Sequence, residues 1–308
     1  MTVKNILCLG YGYSANALSF HLLHDHSRVQ WNITGTHRSV SQPKKYTYAI
    51  DNVSILPINH PYITTLAREA EYILISARPS EASSNHQNYD NNLTDPMLQL
   101  FYYHIQNNKR IKWLGYLSTT GVYGNHQGKW VDETTFCFPT SKRGILRLKA
   151  EQEWMSMFHD HNIPVHIFRL AGIYGPSRGP IHKLLSGKAI QIIKAEQVFS
   201  RIHVDDIANI LLLSMLHPNP GSIYNVCDNL PAPPQEVLCF AASLLSLPPP
   251  PALIFEDNCH TLPGKIIRFY TDNKRVHNKK LITELSIRLK YKSYIEGLSS
   301  IANAMNNT

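Results

Sequence analysis

The 308-residue chain is short of the features that mark several protein classes. Its five cysteines, Cys8, Cys137, Cys227, Cys239 and Cys259, are odd in number and none stands at C-x-x-C spacing. That excludes a disulfide framework or a thiolate zinc site and fits a reducing, cytoplasmic setting. No apolar run approaches the length of about 20 residues that a membrane span needs; the most apolar stretch, residues 207–216, is too short. The apolar run after Lys4 is cut by Gly-Tyr-Gly before it reaches signal-peptide length. Clustered charge is missing too. The net charge is +8, yet Lys and Arg are scattered, in pairs no longer than Lys44–Lys45 and Lys279–Lys280, and no nucleic-acid motif accompanies them. The charge reads first as a soluble basic surface, second as suited to anionic small molecules and only third to nucleic acid, so the expected partner is a small molecule, with no nucleic acid and no membrane. The His-Asp-His pairs at 24–26 and 159–161 have no third ligand at a metal-binding spacing, and histidines suit helix C-termini, so no metal is expected.

What is present begins at the first strand. An apolar run, Ile6–Leu9, breaks at Gly10, and Gly12 and Ala15 follow in GYGYSA before a helical segment. In a G-x-G-x-x-A turn the first glycine permits the tight bend and the second lets the backbone approach a pyrophosphate. The small third residue lets helix and strand pack closely, while the helix N-terminus offers free N–H groups. Gly10, Tyr11, Gly12, Tyr13, Ser14 and Ala15 are thus the candidate nucleotide turn. A second strand, over 30–35, runs into Thr36-His37-Arg38. A site for NAD wants a carboxylate here to hold the ribose 2′-hydroxyl, but no acidic residue lies between Asp25 and Asp51. Arg38 stands in its place and suits a 2′-phosphate, so the expected cofactor is NADP(H) ahead of NAD(H).

Further along, strands are expected at 53–58, 71–76, 111–117 and 165–170, alternating with helices over 62–70, from Asp95-Pro96 to about 107, and 141–159. That alternation means βαβ units and a parallel sheet. Ser76, Ala77 and Arg78 fall at a strand C-terminus, where such sheets bind ligands. The polar stretch from Ser80 to Thr94 reads as a surface or lid loop. Beyond 170, residues 191–204 read as strand, with Arg201 and His203 alternating onto one face to meet a phosphate or carboxylate. Asp205 is expected to cap a helix over 206–216. A helix over 235–247 and two helical pieces between 281 and 305 close the lobe. No internal repeat appears beyond the βα pattern. One integrated domain over 1–308 is expected, its nucleotide-binding core about 1–170 plus 203–228 and its smaller C-terminal substrate lobe about 171–202 and 229–308.

GYGYSA, LSTTGVYG after the fifth strand, FRLAGIYGP after the sixth, RIHVDDIA at 201–208 and GSIYNVCD at 221–228 together resemble the extended, epimerase/dehydratase-like form of the short-chain dehydrogenase/reductase superfamily. The resemblance covers nearly the whole chain. The G-x-G-x-x-A spacing, tighter than is usual there, and RGILRLKAEQEW at 143–154 are similar to an atypical branch, the YeeZ-like proteins. The resemblance implies an α/β, Rossmann-type doubly wound parallel sheet. It also implies a catalytic set of a hydroxyl, a tyrosine and a lysine four residues beyond that tyrosine. Thr119 matches the hydroxyl and Lys149 the lysine, which would also hold the nicotinamide ribose. Ile145 occupies the tyrosine position and cannot transfer a proton, a loss of typically ~10²–10⁴ in rate. Tyr123 is the alternative phenol by motif position, and Tyr174 the aromatic expected near the cofactor. The implied function is an NADP(H)-dependent oxidoreductase or epimerase acting on a small polar, nucleotide-sugar-like molecule, as monomer or homodimer. The alternative is a weakly catalytic or non-catalytic NADP(H)-binding regulator.

Overall fold

The computed structural model describes residues 2–24, 29–38, 48, 50–79 and 93–306. The loop expected over 80–94 lies almost wholly outside the described residues. The chain divides into two compact units, one of residues 1–119, 145–169 and 207–224, the other of 120–144, 170–206 and 225–308.

The first unit is an α/β Rossmann-type fold built on a parallel sheet of seven strands. These are β1 (Thr2–Leu9), β2 (Val29–His37), β3 (Val53–Pro57), β4 (Tyr72–Ile75), β5 (Trp113–Thr119), β6 (Val165–Leu170) and β7 (Ile223–Val226), which enters the unit through Ile223 and Tyr224. Their order is β7-β6-β5-β4-β1-β2-β3. The chain moves outward from β1 to β3, then crosses back to lay β4 on the other side of β1, in register Ile6 with Tyr72 and Leu9 with Ile75. That reversal opens a crevice at the C-terminal ends of β1 and β4. β4 is buried at all four positions and β6 at all six, as strands covered on both faces must be.

The helices are α1 (Tyr13–His24), α2 (Pro61–Glu69), α3 (Pro96–Gln106), α4 (Lys142–His161) and α5 (Val204–Leu216). α3 starts as its sequence dictates: Asp95 has extended backbone, its carboxylate accepts the Met97 and Leu98 N–H groups, and Pro96 fills the first turn. Leu7, Leu9, Ile73, Ile75, Phe101 and Trp154 sit at the centre of the core. Cys8 is buried within β1, where desolvation pushes its thiol up to about 12.

The second unit has no large sheet. Three short parallel pairs organise it: Gly172–Tyr174 with Arg201–His203, Gln191–Ile193 with Ala252–Ile254, and Trp130–Val131 with Arg275–Val276. Tyr174, Ile181, Val237, Ala241, Leu298 and Ala302 form its apolar centre, drawn from the Gly172–Tyr174 strand and the Pro180–Leu185, Pro234–Leu244 and Tyr294–Asn306 helices. Two expectations need correction. The strand expected over 191–204 is two three-residue strands, because a turn with Glu196 at φ +57° separates them. Asp205 does not cap α5. The helix starts at Val204, and the His203 ring accepts the Asp205 N–H instead. Asp206, in the first turn, spends its carboxylate on the Lys290 and Tyr291 N–H groups.

Candidate functional site

The glycine turn lies at the crevice between β1 and β4. Gly10 has φ +91°, and a Cβ there would stand 2.7 Å from the Ala77 nitrogen, so the close approach to the segment after β4 needs glycine. The Ala77 and Ser76 N–H groups both donate to the Leu9 carbonyl, and the Ser76 hydroxyl donates to the Gly10 carbonyl. From the other side, Thr36 on β2 accepts the Gly10 N–H on its hydroxyl at 2.8 Å and the Tyr11 N–H on its carbonyl at 2.7 Å. Gly12 is different. Among the described residues, a Cβ there would meet nothing within 4 Å. Ala15 is fully buried, as the small residue of the pattern should be, and Ser14 is buried beside it. Tyr11 lays its ring over Gly35 on β2. Tyr13 opens α1. The structure thus gathers Gly10, Tyr11, Ser76 and Ala77 with Thr36, a residue the sequence reading passed over. Arg38, just past β2, and Arg78, just past Ala77, are both exposed.

Thr119 ends β5. On α4, Ile145 and Lys149 are one turn apart and both exposed, so they share a face. Between them the chain turns inward at Arg147, with Leu146 and Leu148 half-buried. Arg147 is buried, and its Nη1 donates to the Tyr116 hydroxyl at 2.9 Å and to the Leu117 carbonyl at 2.8 Å. Asp95 is buried near it, its carboxyl raised to about 6 by desolvation despite its two backbone N–H donors and the Arg147 charge. The Glu153 carboxylate accepts the Thr94 and Asp95 N–H groups at 2.5 and 2.9 Å. Glu151 is paired with Arg169 and accepts the Ser118 hydroxyl, next to Thr119. The sequence marks Asp95 as a helix start but does not single out the buried charges Arg147, Glu151 and Arg169.

The remaining candidates lie in the second unit. Tyr123 is fully buried and its hydroxyl donates to the Asn225 side chain at 2.8 Å. Tyr174 is buried with its hydroxyl donating to the Ser293 carbonyl at 3.3 Å, and burial raises its pKa. Arg201 donates through Nη1 to the Phe199 and Ala232 carbonyls. His203 is buried and neutral, its pKa lowered to about 4 by desolvation. Because its Nδ1 accepts the Asp205 N–H, the ring proton sits on Nε2. Lys274 was missed. It is nearly buried, donates to the Gly124 carbonyl at 2.7 Å and lies 3.8 Å from the Asp272 carboxylate, and desolvation lowers its pKa. Among the described residues, no group of three or more His, Cys, Asp or Glu could hold a metal. No helix among them is long and apolar enough to cross a membrane.

Comparison with known proteins gives these residues a context. The sequence model of the NAD dependent epimerase/dehydratase family matches residues 59–227. Protein YeeZ of Escherichia coli K12 is 34% identical over 175 residues, covering 55% of this chain and 57% of that protein. The chain therefore spans little more than half the length of the curated relatives it matches. Among solved structures, a functionally unknown conserved protein from Silicibacter pomeroyi is 42% identical over 98% of this chain and 99% of its own, with a TM-score of 0.83. UDP-glucose 4-epimerase from Thermotoga maritima, solved with UDP-glucose, is 17% identical over 99% of both chains, with a TM-score of 0.76. dTDP-glucose 4,6-dehydratase from Bacillus anthracis, solved with NAD, is 18% identical over 99% of this chain and 97% of its own, with a TM-score of 0.74. These last two share the fold.

Proposed function

Because the chain belongs to the NAD dependent epimerase/dehydratase family, we propose that it binds NADP(H) on the Gly10–Ala15 turn and acts as an oxidoreductase or epimerase on a small polar, nucleotide-sugar-like substrate. The observation that carries the proposal is Gly12. At the crevice where the strand order reverses, no described residue fills the volume a side chain at this position would take, directly before the N-terminus of α1. Gly10, held between Thr36 and Ala77, fixes that opening. Arg38, exposed past β2 with no carboxylate in its stretch of sequence, supports a 2′-phosphate and hence NADP over NAD.

When bound, the nicotinamide supplies hydride chemistry. The chain then has to hold, orient and move protons. Lys149, exposed on α4, is positioned on its helix to hold the ribose, and the Thr119 hydroxyl at the tip of β5 to orient the substrate. Ile145 leaves the proton-transfer position of the family empty. The Tyr123 hydroxyl, buried and given to Asn225, fits a packing role better than that of a replacement acid. The inward bonding of Tyr174 and Arg201 likewise favours a framework role. Monomeric or homodimeric assembly and a cytoplasmic setting belong to the same proposal. A second reading rests on Ile145 alone: a binding protein that senses NADP(H) without turning it over.

Fluorescence titration with NADPH and NADH tests the common premise. NADPH should bind more tightly, and Arg38→Ala should weaken NADPH selectively; tighter NADH binding removes the Arg38 argument. NADPH oxidation against a panel of carbonyl compounds and nucleotide sugars then separates enzyme from sensor. Turnover lost in Lys149→Ala supports the enzyme, and tight binding with no turnover supports the sensor.

A further inference from the structure

Arg147 lies two positions from Ile145 and two from Lys149, so it faces the opposite way, into the first unit. One guanidinium nitrogen, Nη1, serves three acceptors: the Leu117 carbonyl at 2.8 Å, the Tyr116 hydroxyl at 2.9 Å and, at the limit of bonding distance, the Ala77 carbonyl at 3.5 Å. Leu117 lies near the end of β5, and Ala77 lies just past the end of β4. The guanidinium carbon is 5.5 Å from the centre of the Tyr116 ring. Burying a cation is costly unless its charge is met, and the Asp95 carboxylate, fixed as the cap of α3, supplies an opposite charge nearby. Ala77 is also the residue against which Gly10 packs, and its N–H donates to Leu9. A cation therefore ties the tips of two neighbouring strands together at a segment that the glycine turn leans on.

We propose that Arg147 is a positioning residue for the nucleotide turn, holding Ala77 so that Gly10 and Gly12 keep the conformation that admits a pyrophosphate. This rests on the nucleotide-binding reading above. Arg147 acts through Ala77. A methionine would fill its volume without donating, and a lysine, a point donor on a flexible stem, would reach fewer of the three acceptors.

The test uses the full chain with Arg147→Met and Arg147→Lys. Ile105→Val, a core truncation near the far end of α3 from Asp95, controls for lost stability. Two quantities are read: the NADPH dissociation constant from nicotinamide fluorescence, and the hydrogen exchange of the Ala77 amide without nucleotide. Arg147→Met should weaken NADPH binding by about tenfold or more, the size of losing a charged hydrogen bond, and speed Ala77 exchange by at least a similar factor. Arg147→Lys should fall between it and wild type and serves alone if the methionine variant does not fold. Ile105→Val should leave both readouts within about twofold. Wild-type affinity in the Arg147 variants overturns the proposal, and so does an equal loss in Ile105→Val. Failure of the wild-type protein to bind NADPH or NADH overturns the nucleotide reading and this proposal with it; the exchange at Ala77 is then a separate fact about the fold.

Discussion

Glu151 and Arg169 form a forked ion pair inside the first unit, with Nη2 2.8 Å from Oε2 and Nε 3.2 Å from both carboxylate oxygens. Their side chains are only 3% and 5% exposed, and the Ser118 hydroxyl donates to the same carboxylate. Removing one partner strands a buried charge, so Glu151→Ala should lose ~3–5 kcal/mol of stability in urea unfolding. Replacing both, as Glu151→Leu with Arg169→Met, should cost far less. A double variant as unstable as the single one would show that the pair itself, and not the stranded charge, carries the energy.

The two glycines of the opening turn should separate stability from binding. Gly10→Ala meets both a positive φ and the Ala77 backbone, and should lose about 2 kcal/mol or more along with nucleotide affinity. Gly12→Ala meets no neighbour and should keep stability within about 0.5 kcal/mol while still losing NADPH binding. Unimpaired binding by Gly12→Ala would remove the pyrophosphate from this turn.

Ile145→Tyr restores a phenol one helical turn before Lys149. Ile145 is 45% exposed, so the larger ring should be tolerated with little change in melting temperature. If the missing proton donor limits an existing reaction, NADPH oxidation should rise by ~10²–10⁴. Unchanged turnover at unchanged NADPH affinity would favour the sensing role.

Buried acids and buried histidines pull the pH dependence of stability in opposite directions. Desolvation raises Asp95 and Asp206 to about 6 and Asp228 to about 7, from 3.8. The folded chain holds those protons more tightly than the unfolded one, so stability from these groups falls as pH rises from about 4 to 7. Desolvation lowers His166 and His203 from 6.5 to about 4. For them the unfolded chain binds the extra proton, so their contribution is complete above the unfolded value and is lost as pH falls towards 4. Asp228 is the most informative site, because its Oδ2 is buried with no hydrogen-bond partner among the described residues. Asp228→Asn should raise stability at pH 8 and flatten the decline between pH 5 and 8. An unaltered slope would mean that the Asp228 carboxyl is not protonated near neutrality.

Much of the fold could be read from runs and punctuation. The apolar run of β4, the Asp95-Pro96 start of α3 and the Gly10–Ala15 turn each follow from local rules that tertiary contacts reinforce. What escaped reading turned on single residues. The break inside 191–204 falls at the turn with Glu196 at positive φ, and the next side chain, Gln197, donates to the Asp272 carbonyl. At the start of α5 the His203 ring accepts the Asp205 N–H, where a capping Asp205 carboxylate was expected. Arg147 and Glu151 fall within the helix expected over 141–159, with no burial assigned to them from sequence. Their spacing held a usable signal, since Arg147, Ala150, Glu151 and Trp154 recur at three and four residues and all face inward.

The chain passes between its two units five times, after Thr119, Gly144, Arg169, Asp206 and Tyr224. Neither unit can be cut out as a contiguous gene fragment. A truncation ending at Thr119 would keep the glycine turn but lose β6, leaving the apolar strand β5 as a raw edge open to pairing with other chains. Such a fragment should aggregate, so the unit that carries the glycine turn must be made, inherited and engineered together with the other.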